Sequence, residues 1–260
     1  MTLLHRAEPS PRLQQAARAL LAARESRTPL AAAPDRLGRL DMAEAYAVQQ
    51  LVATALGPVG AWKVGGPSPD AEPVTAPIPA ARVWQSPATP PAGSLRLFGI
   101  EAEIAYRFGR DLPARDETYT DEEVLAAVNA VLPTIEIVDT CLAEGLDADP
   151  AWKLADRQIN GGLVVGAPVR IWRNVEPATQ PIRLSVNGSR VHAGKGGNPA
   201  GDPARLLVWL ANALGDHCGG LRAGQIVTTG SLSGIRFVDP GAEVVAEMAG
   251  LGSVEIELPG

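Results

Sequence analysis

Two acidic residues separated by one small residue, Glu101-Ala102-Glu103, lie in the run Ile100 to Phe108, which is rich in β-favouring residues and bounded by Gly99 and Gly109. On a strand, residues two apart share a face, so both carboxylates point the same way, roughly 7 Å apart at the backbone. Ala102, Ile104 and Tyr106 then face apolar packing on the other side. Glu136 lies in a more apolar setting still, between Ile135 and Ile137 of Thr134-Ile135-Glu136-Ile137-Val138. A carboxylate there is costly unless something satisfies it, and a cation is one such partner. Three carboxylates converging from two strands suit Mg2+ or Mn2+, which take oxygen ligands and keep positions open for water or substrate. Glu-x-Glu also fits the solvated face of a half-exposed antiparallel strand, so Glu136 is what favours the metal reading.

The 260 residues are enough for one large domain, and 46% hydrophobic with 20% charged residues describe an ordinary globular chain. A net charge of −6, no basic cluster and 4% aromatic residues argue against nucleic acid as a partner. No apolar run approaches the ~18 residues of a membrane span, and Arg6 and Arg12 precede no apolar signal-peptide core. Cys141 and Cys218 form no CxxC, so neither a disulfide scaffold nor a zinc site is expected. The expectation is a cytoplasmic protein with no membrane association.

Helices are predicted over residues 11–25 and from about Met42 to Leu56. The second has Asp41 and Glu44 as a capping box and Gly57-Pro58 as its stop. Together they predict a helical N-terminal cap over residues 1–60, followed by a β-rich catalytic region over 61–260, the two forming one continuous unit. Residues 67–94, rich in Pro and Ala, read as a mobile loop or lid. Thr120 and Glu123 form another capping box, opening a helix expected to run to Pro133. Asn160-Gly161-Gly162 reads as a turn into the strand 163–166, Asn187-Gly188 as a hairpin turn, and Asp202-Pro203 as the start of a helix reaching Leu214.

Lys63, in Ala61-Trp62-Lys63-Val64-Gly65-Gly66, is flanked by apolar residues, where desolvation lowers a lysine pKa and suits acid–base work; a solvent-facing lysine is the plainer reading. Gly194-Lys195-Gly196-Gly197-Asn198-Pro199 lacks the order of a phosphate loop and reads as a turn with left-handed glycines. Thr228-Thr229-Gly230-Ser231-Leu232-Ser233-Gly234 offers hydroxyls and N–H groups at a strand end, as anion sites do. With only His5, His192 and His217 and no G-x-S-x-G, Ser-His-Asp catalysis has little to work with.

Taken in order, Trp62-Lys63-Val64-Gly65, Glu101-Ala102-Glu103-Ile104-Ala105 and Leu132-Pro133-Thr134-Ile135-Glu136-Ile137-Val138-Asp139 resemble the 2-keto-4-pentenoate hydratases and the related 4-oxalocrotonate decarboxylases of the fumarylacetoacetate hydrolase superfamily. Ala155-Asp156, Val165-Gly166, Thr229-Gly230 and Gly250-Leu251-Gly252-Ser253-Val254 extend the resemblance from about Asp41 to the C-terminus. It implies an α+β fold, a mixed β-roll or barrel with a helical N-terminal cap. It also implies Glu101, Glu103 and Glu136 as ligands of Mg2+ or Mn2+, Lys63 as the acid–base group, and Asp156, Arg157, Thr229 and Gly230 as substrate-binding residues. The implied activity is a metal-dependent hydratase (lyase) acting on a 2-hydroxy-2,4-dienoate or similar 2-oxo acid in aromatic catabolism. A homo-oligomer is implied too, with association with a pathway enzyme as a further expectation.

Departures from the group's pattern bear on the reaction. Gly66-Pro67-Ser68-Pro69 replaces a Leu-Thr-Ser-Lys type segment, Arg157 stands where Asn often follows Ala-Asp, and Asp202 stands in a segment that is commonly Gly-His-Pro. No histidine falls between residues 30 and 100, which disfavours the lid His-Glu chemistry of the hydrolases. The alternatives are a 4-oxalocrotonate-type decarboxylase, with Arg157 either paired to Asp156 or holding a second substrate carboxylate, an acylpyruvate-type hydrolase, and a catalytically silent partner subunit.

Overall fold

A computed structural model of the chain describes residue 4 and residues 6–31 and 37–260. Helix α1, Pro11–Ser26, starts at Ser10, whose hydroxyl caps Leu13 N–H, and ends at Arg27 in the left-handed region. Its buried residues Leu13, Ala16, Ala17, Leu20 and Ala23 follow the three-and-four spacing of one helical face. Helix α2, Met42–Leu56, carries both halves of its capping box and stops at Gly57, where φ is +101°. The two pack into one apolar cluster with Cys141, Leu142 and the short helix α4, Pro150–Ala155. The helical cap therefore rests on a segment distant in sequence.

The main sheet contains β1 (Val59–Gly65), β2 (Val74–Pro79), β3 (Val83–Gln85), β4 (Gly99–Phe108), β5 (Val128–Val138), β6 (Asn160–Val165), β9 (Ile226–Ser231) and β10 (Arg236–Phe237). Its order is β2-β1-β9-β4-β5-β6-β3, with β10 paired to β4. The sheet is open, because β2 and β3 end the path, yet it rolls. Ile78 of β2 and Val83 of β3 share one apolar cluster with Ala61, Ala105, Leu132, Leu163, Val165 and Ile226, the inward residues of the strands between them. The outer face, with Trp62, Ile100, Ile104, Ile135 and Ile137, packs in the largest core cluster. That cluster also takes in helix α5, Pro203–Ala213, and the four-stranded sheet β12-β11-β7-β8. In this second sheet β7 (Pro181–Val186) and β8 (Ser189–Lys195) meet at Asn187-Gly188, both with positive φ, as the hairpin signal requires. Strands β11 (Glu243–Met248) and β12 (Gly252–Glu257) complete it.

Three expectations are corrected. Residues 67–94 are not one loop: β2 pairs antiparallel with β1, and β3 pairs parallel with β6. β2 tolerates two prolines because it is an edge strand, where a missing N–H costs no ladder bond. The helix opened by Thr120 is only α3, Asp121–Ala127, and Pro133 lies inside β5. Pro133 accepts from Gly166 N just past the end of β6, so its missing N–H falls where the neighbouring strand has run out. Asn160-Gly161-Gly162 belongs to β6. These glycines are required by close approach, since a Cβ on Gly161 would lie 2.7 Å from Asp139 Cβ, and one on Gly162 2.2 Å from the Trp84 ring.

Candidate functional site

Pairing of β4 with β5 sets Glu101 directly opposite Glu136 and Glu103 opposite Thr134, all on the inner face of the roll. One carboxylate oxygen from each of Glu101, Glu103 and Glu136 lies within 4.8 Å of the others. Glu103 and Glu136 are about 1% exposed, and Glu101 is partly open. Lys63 projects from β1 at the same level. Its Nζ donates to Glu136 Oε1 at 2.5 Å and to the Gln158 carbonyl at 3.2 Å. In a flat sheet β1 and β5, three positions apart, would be about 14 Å apart; the roll is what brings Lys63 onto Glu136.

Thr228 and Gly230 hold Glu103. Between the pairs Glu103–Ser231 and Ala105–Thr228 the β4–β9 ladder slips, and the bulge contains Thr229 and Gly230. The bulge lets the Thr228 hydroxyl and the Gly230 N–H, the latter at 3.0 Å, both reach Glu103 Oε2. Gly230 meets this turn with φ +100°. Glu136 Oε1 also accepts from Asn160 Nδ2 at 3.0 Å, while its Oε2 is buried with no hydrogen-bond partner among the described residues.

Electrostatics follow from this crowding. Burial first, then the Glu136 charge, push the Glu101 carboxyl up to about 7. The same causes push Glu103 well above the usual carboxylate range. For Lys63, burial acts to lower the pKa, but Glu136, Glu101 and Glu103 outweigh it and hold the ammonium above its ordinary value. The expectation of a lowered lysine pKa is therefore corrected: the neighbours of Lys63 are charged, whereas its sequence flanks are not.

Asp156 and Arg157 are not brought to the glutamates. Asp156 is fully buried and accepts from Arg24 Nη2 at 2.6 Å, Thr140 Oγ1 at 2.6 Å and Cys141 N at 3.0 Å. Its hydrogen-bonded ion pair is with Arg24 of α1, and the Arg157 charge acts on it as well, with no hydrogen bond between the two side chains. Arg157 is buried, and the charges that act on it are those of Arg24, Asp156 and Arg82. Thr229 turns its hydroxyl onto the Ile104 carbonyl at 3.0 Å, tying β9 to β4. No motif pointed to Asn160 or the Gln158 carbonyl, and the hydroxyl-rich run that contains Thr228 did not show that it would hold Glu103. Asn160 was hidden by its resemblance to a turn, and Thr228 by a bulge that no local pattern encodes. His217 is buried with its Nε2 2.8 Å from Gln49 Oε1; His5 lies outside the described residues.

A three-glutamate cluster with an attendant lysine, on the inner face of a rolled sheet, is the candidate site of this α+β fold. Residues 61–258 match the fumarylacetoacetate (FAA) hydrolase C-terminal family. The chain belongs to the fumarylacetoacetate hydrolase family. It is 32% identical over 175 residues to a 2-keto-4-pentenoate hydratase of Paraburkholderia xenovorans, across 65% of this chain and 62% of that protein. It is 30% identical to a 2-hydroxyhexa-2,4-dienoate hydratase of Comamonas testosteroni, across 64% of each. The match thus spans somewhat under two thirds of these relatives. In fold it resembles 4-oxalocrotonate decarboxylase from Pseudomonas putida G7, solved with magnesium and adipate: TM-score 0.85 at 22% identity, over 98% of this chain and 100% of that one. No described helix is long and apolar enough to cross a membrane.

Proposed function

We propose that the chain is a divalent-metal-dependent hydratase, a carbon–oxygen lyase that adds water to a 2-hydroxy-2,4-dienoate or 2-keto-4-pentenoate-like acid in aromatic catabolism. The observation that carries this reading is the cluster of Glu101, Glu103 and Glu136, whose oxygens converge within 4.8 Å. The residues fit Mg2+ or Mn2+. All donors are carboxylate oxygens, Glu136 Oε2 is buried without a partner among the described residues, and the raised pKa values of Glu101 and Glu103 record burial and then mutual repulsion, both of which a dication would offset. When bound, the cation supplies Lewis-acid polarisation of the carboxylate and keto oxygens of a 2-oxo acid.

The chain's own residues do the remaining work. Lys63 Nζ, held by Glu136 and by the Gln158 carbonyl, is an ammonium with a proton to deliver to substrate carbon. In net hydration the hydroxyl of water joins the distal carbon of the double bond and a proton joins its neighbour, so atoms balance without an added reagent. Gln158 is presented by a turn in which Arg157, Gln158 and Ile159 all have φ between +52° and +55°, a costly conformation for side-chain-bearing residues. Thr228, Gly230 and Asn160 orient the glutamates.

The hydratase reading is favoured over the decarboxylase by the named hydratases among the sequence relatives, and by Arg157. That cation is grouped with Arg24 and Asp156, which leaves recognition of a second substrate carboxylate at the glutamates without its candidate. The near-complete fold match keeps decarboxylation of a 4-oxalocrotonate-like acid as the second reading. A homo-oligomer in the cytoplasm is part of the same proposal; exposed Ile171 (89%) and Phe237 (53%) are apolar surface that self-association would cover, which light scattering tests. Ultraviolet-monitored turnover of 2-hydroxy-dienoates and 2-oxo acids with Mg2+, with and without chelator, tests the activity. Metal-dependent loss of the dienoate signal without CO2 release is expected. Rapid CO2 release from a di-acid alone would replace the hydratase with the decarboxylase, and no turnover at all would leave a silent subunit.

A further inference from the structure

The helical cap meets the segment before β4 at a small recess of about 30 Å³. Arg24, Arg27, Ser94, Arg96, Asp139 and Thr140 are among its lining residues. Two further guanidinium groups belong to the same cluster. Arg82 Nη1 donates to the Ser94 carbonyl at 3.0 Å, and Arg157 is acted on by the charges of Arg24 and Arg82. Five guanidinium groups thus gather around two carboxylates, Asp139 and Asp156.

Those carboxylates are already committed. Asp139 Oδ1 accepts from the backbone N–H groups of Arg96 and Leu97, at 3.1 and 2.8 Å, and its Oδ2 is 3.8 Å from Arg24. Asp156 is taken by Arg24, Thr140 and Cys141. Arg157 is 1% exposed, and its Nε and Nη1 find no hydrogen-bond acceptor among the described residues. The Ser94 hydroxyl, on the recess, is likewise buried without a partner. Arg27 is exposed, and its guanidinium packs against Gly93 so closely that a Cβ there would lie 2.2 Å from Nη2. Burial first, then the Arg24 charge, hold Arg157 down at about 9 and lower Arg82 as well, whereas Asp156 and Asp139 hold Arg24 above its ordinary value. A buried guanidinium left in that state is costly, and an anion is the group that relieves it.

We propose that this recess is a second ligand site, separate from the glutamate centre, that takes a small oxyanion: a carboxylate or inorganic phosphate. Arg27 presents at the recess a fork that makes no hydrogen bond among the described residues; Arg24 and Arg96 line it with forks partly engaged, by Asp156 and by the Thr140 and Leu142 carbonyls, and Arg82 and Arg157 reinforce the positive field beside it. Planar guanidinium groups match the paired oxygens of carboxylate and phosphate, which is why arginine is suited to this task where a lysine would act only as a point charge.

The test is calorimetric titration of the full chain, in chelator and at constant ionic strength, with inorganic phosphate and separately with acetate. Wild type, Arg27→Gln, Arg157→Met and Glu136→Gln are compared, with circular dichroism confirming the fold of each. Saturable binding of either anion to wild type is expected, weakened about tenfold or more in both arginine variants and unchanged in Glu136→Gln. Binding of one anion and not the other identifies the source of the oxyanion within the proposal. No saturable binding of either anion to wild type overturns it. So does affinity that survives in Arg27→Gln and in a folded Arg157→Met, and so does binding lost in Glu136→Gln, which would return the anion to the glutamate centre. Arg27 is exposed and its side chain makes no hydrogen bond among the described residues, so its variant keeps the test decisive should Arg157→Met fail to fold.

Discussion

Glu136→Gln separates the metal role of the cluster from its structural role, because the charges around Glu136 nearly balance. Two like charges 4.8 Å apart repel by about 3.5 kcal/mol at the effective dielectric of 20 that suits protein sites. Glu136 faces two such neighbours, but Glu101, pushed up to about 7, and Glu103, well above the usual range, are not both ionised near neutral pH, so the repulsion lies between about 3.5 and about 7 kcal/mol. Against this, its contact with Lys63 at 2.5 Å is worth about 6.6 kcal/mol of attraction on the same scale. Replacing the carboxylate by the isosteric amide removes both contributions, and the amide oxygen can still accept from Asn160. The metal-free variant should therefore match wild type in urea-unfolding stability to within about 3 kcal/mol. Metal is another matter. At a hundred times its Kd, Mg2+ stabilises a folded site by about 2.7 kcal/mol. A ligand loss that weakens binding about a hundredfold would reduce this to about 0.4 kcal/mol at the same concentration. The assay is urea unfolding of both proteins with chelator and across a Mg2+ series. An equal Mg2+-dependent gain in the variant would remove Glu136 from the metal site, and an unfolded metal-free variant would refute the charge balance.

Lys63→Met should lower kcat far more than it raises KM for the dienoate, the pattern of a group acting in the transition state; an unchanged kcat would leave Lys63 as the electrostatic partner of Glu136 only. His217 supplies a pH test. Burial pushes its imidazole down to about 3 from the ordinary 6.5, and the Gln49 side-chain NH2 donates to two carbonyls, so Gln49 Oε1 must accept from His217 Nε2–H. The fold binds the neutral ring, so its contribution is complete above pH 6.5 and is lost as pH falls from there towards 3. Wild type should lose roughly 2 kcal/mol more than His217→Gln between pH 7 and pH 5 in chelator, and parallel unfolding curves would show that the ring is not held neutral.

Much of the site was legible from local sequence because strand periodicity is local. Residues two apart share a face whatever the topology, so Glu101 and Glu103 were paired by their spacing alone. The isoleucines around Glu136 marked it as buried, and the capping boxes at Asp41 and Thr120 were legible because their hydrogen bonds close within four residues. The failures have the same origin. The length of α3 was overestimated because Val128 to Leu132, acceptable in a helix, gains more by pairing with β4. Gly161 and Gly162 read as a turn because the side chains that demand them, Asp139 just past β5 and Trp84 of β3, are distant in sequence.

The chain by itself therefore determined which groups can do chemistry: three carboxylates and a lysine in apolar runs, with too few histidines for a triad. Tertiary structure decided which of them meet. Only the roll of the sheet carries Lys63 across two intervening strands to Glu136, and that meeting reverses the expected direction of its pKa. Only the packing of α1 against the turn before β6 assigns Asp156 to Arg24 and leaves Arg157 with the other arginines. The physical reason is range: backbone preferences and caps act over a few residues, whereas charge and burial act over ångströms of space, and neighbours in space are fixed only when the chain has folded.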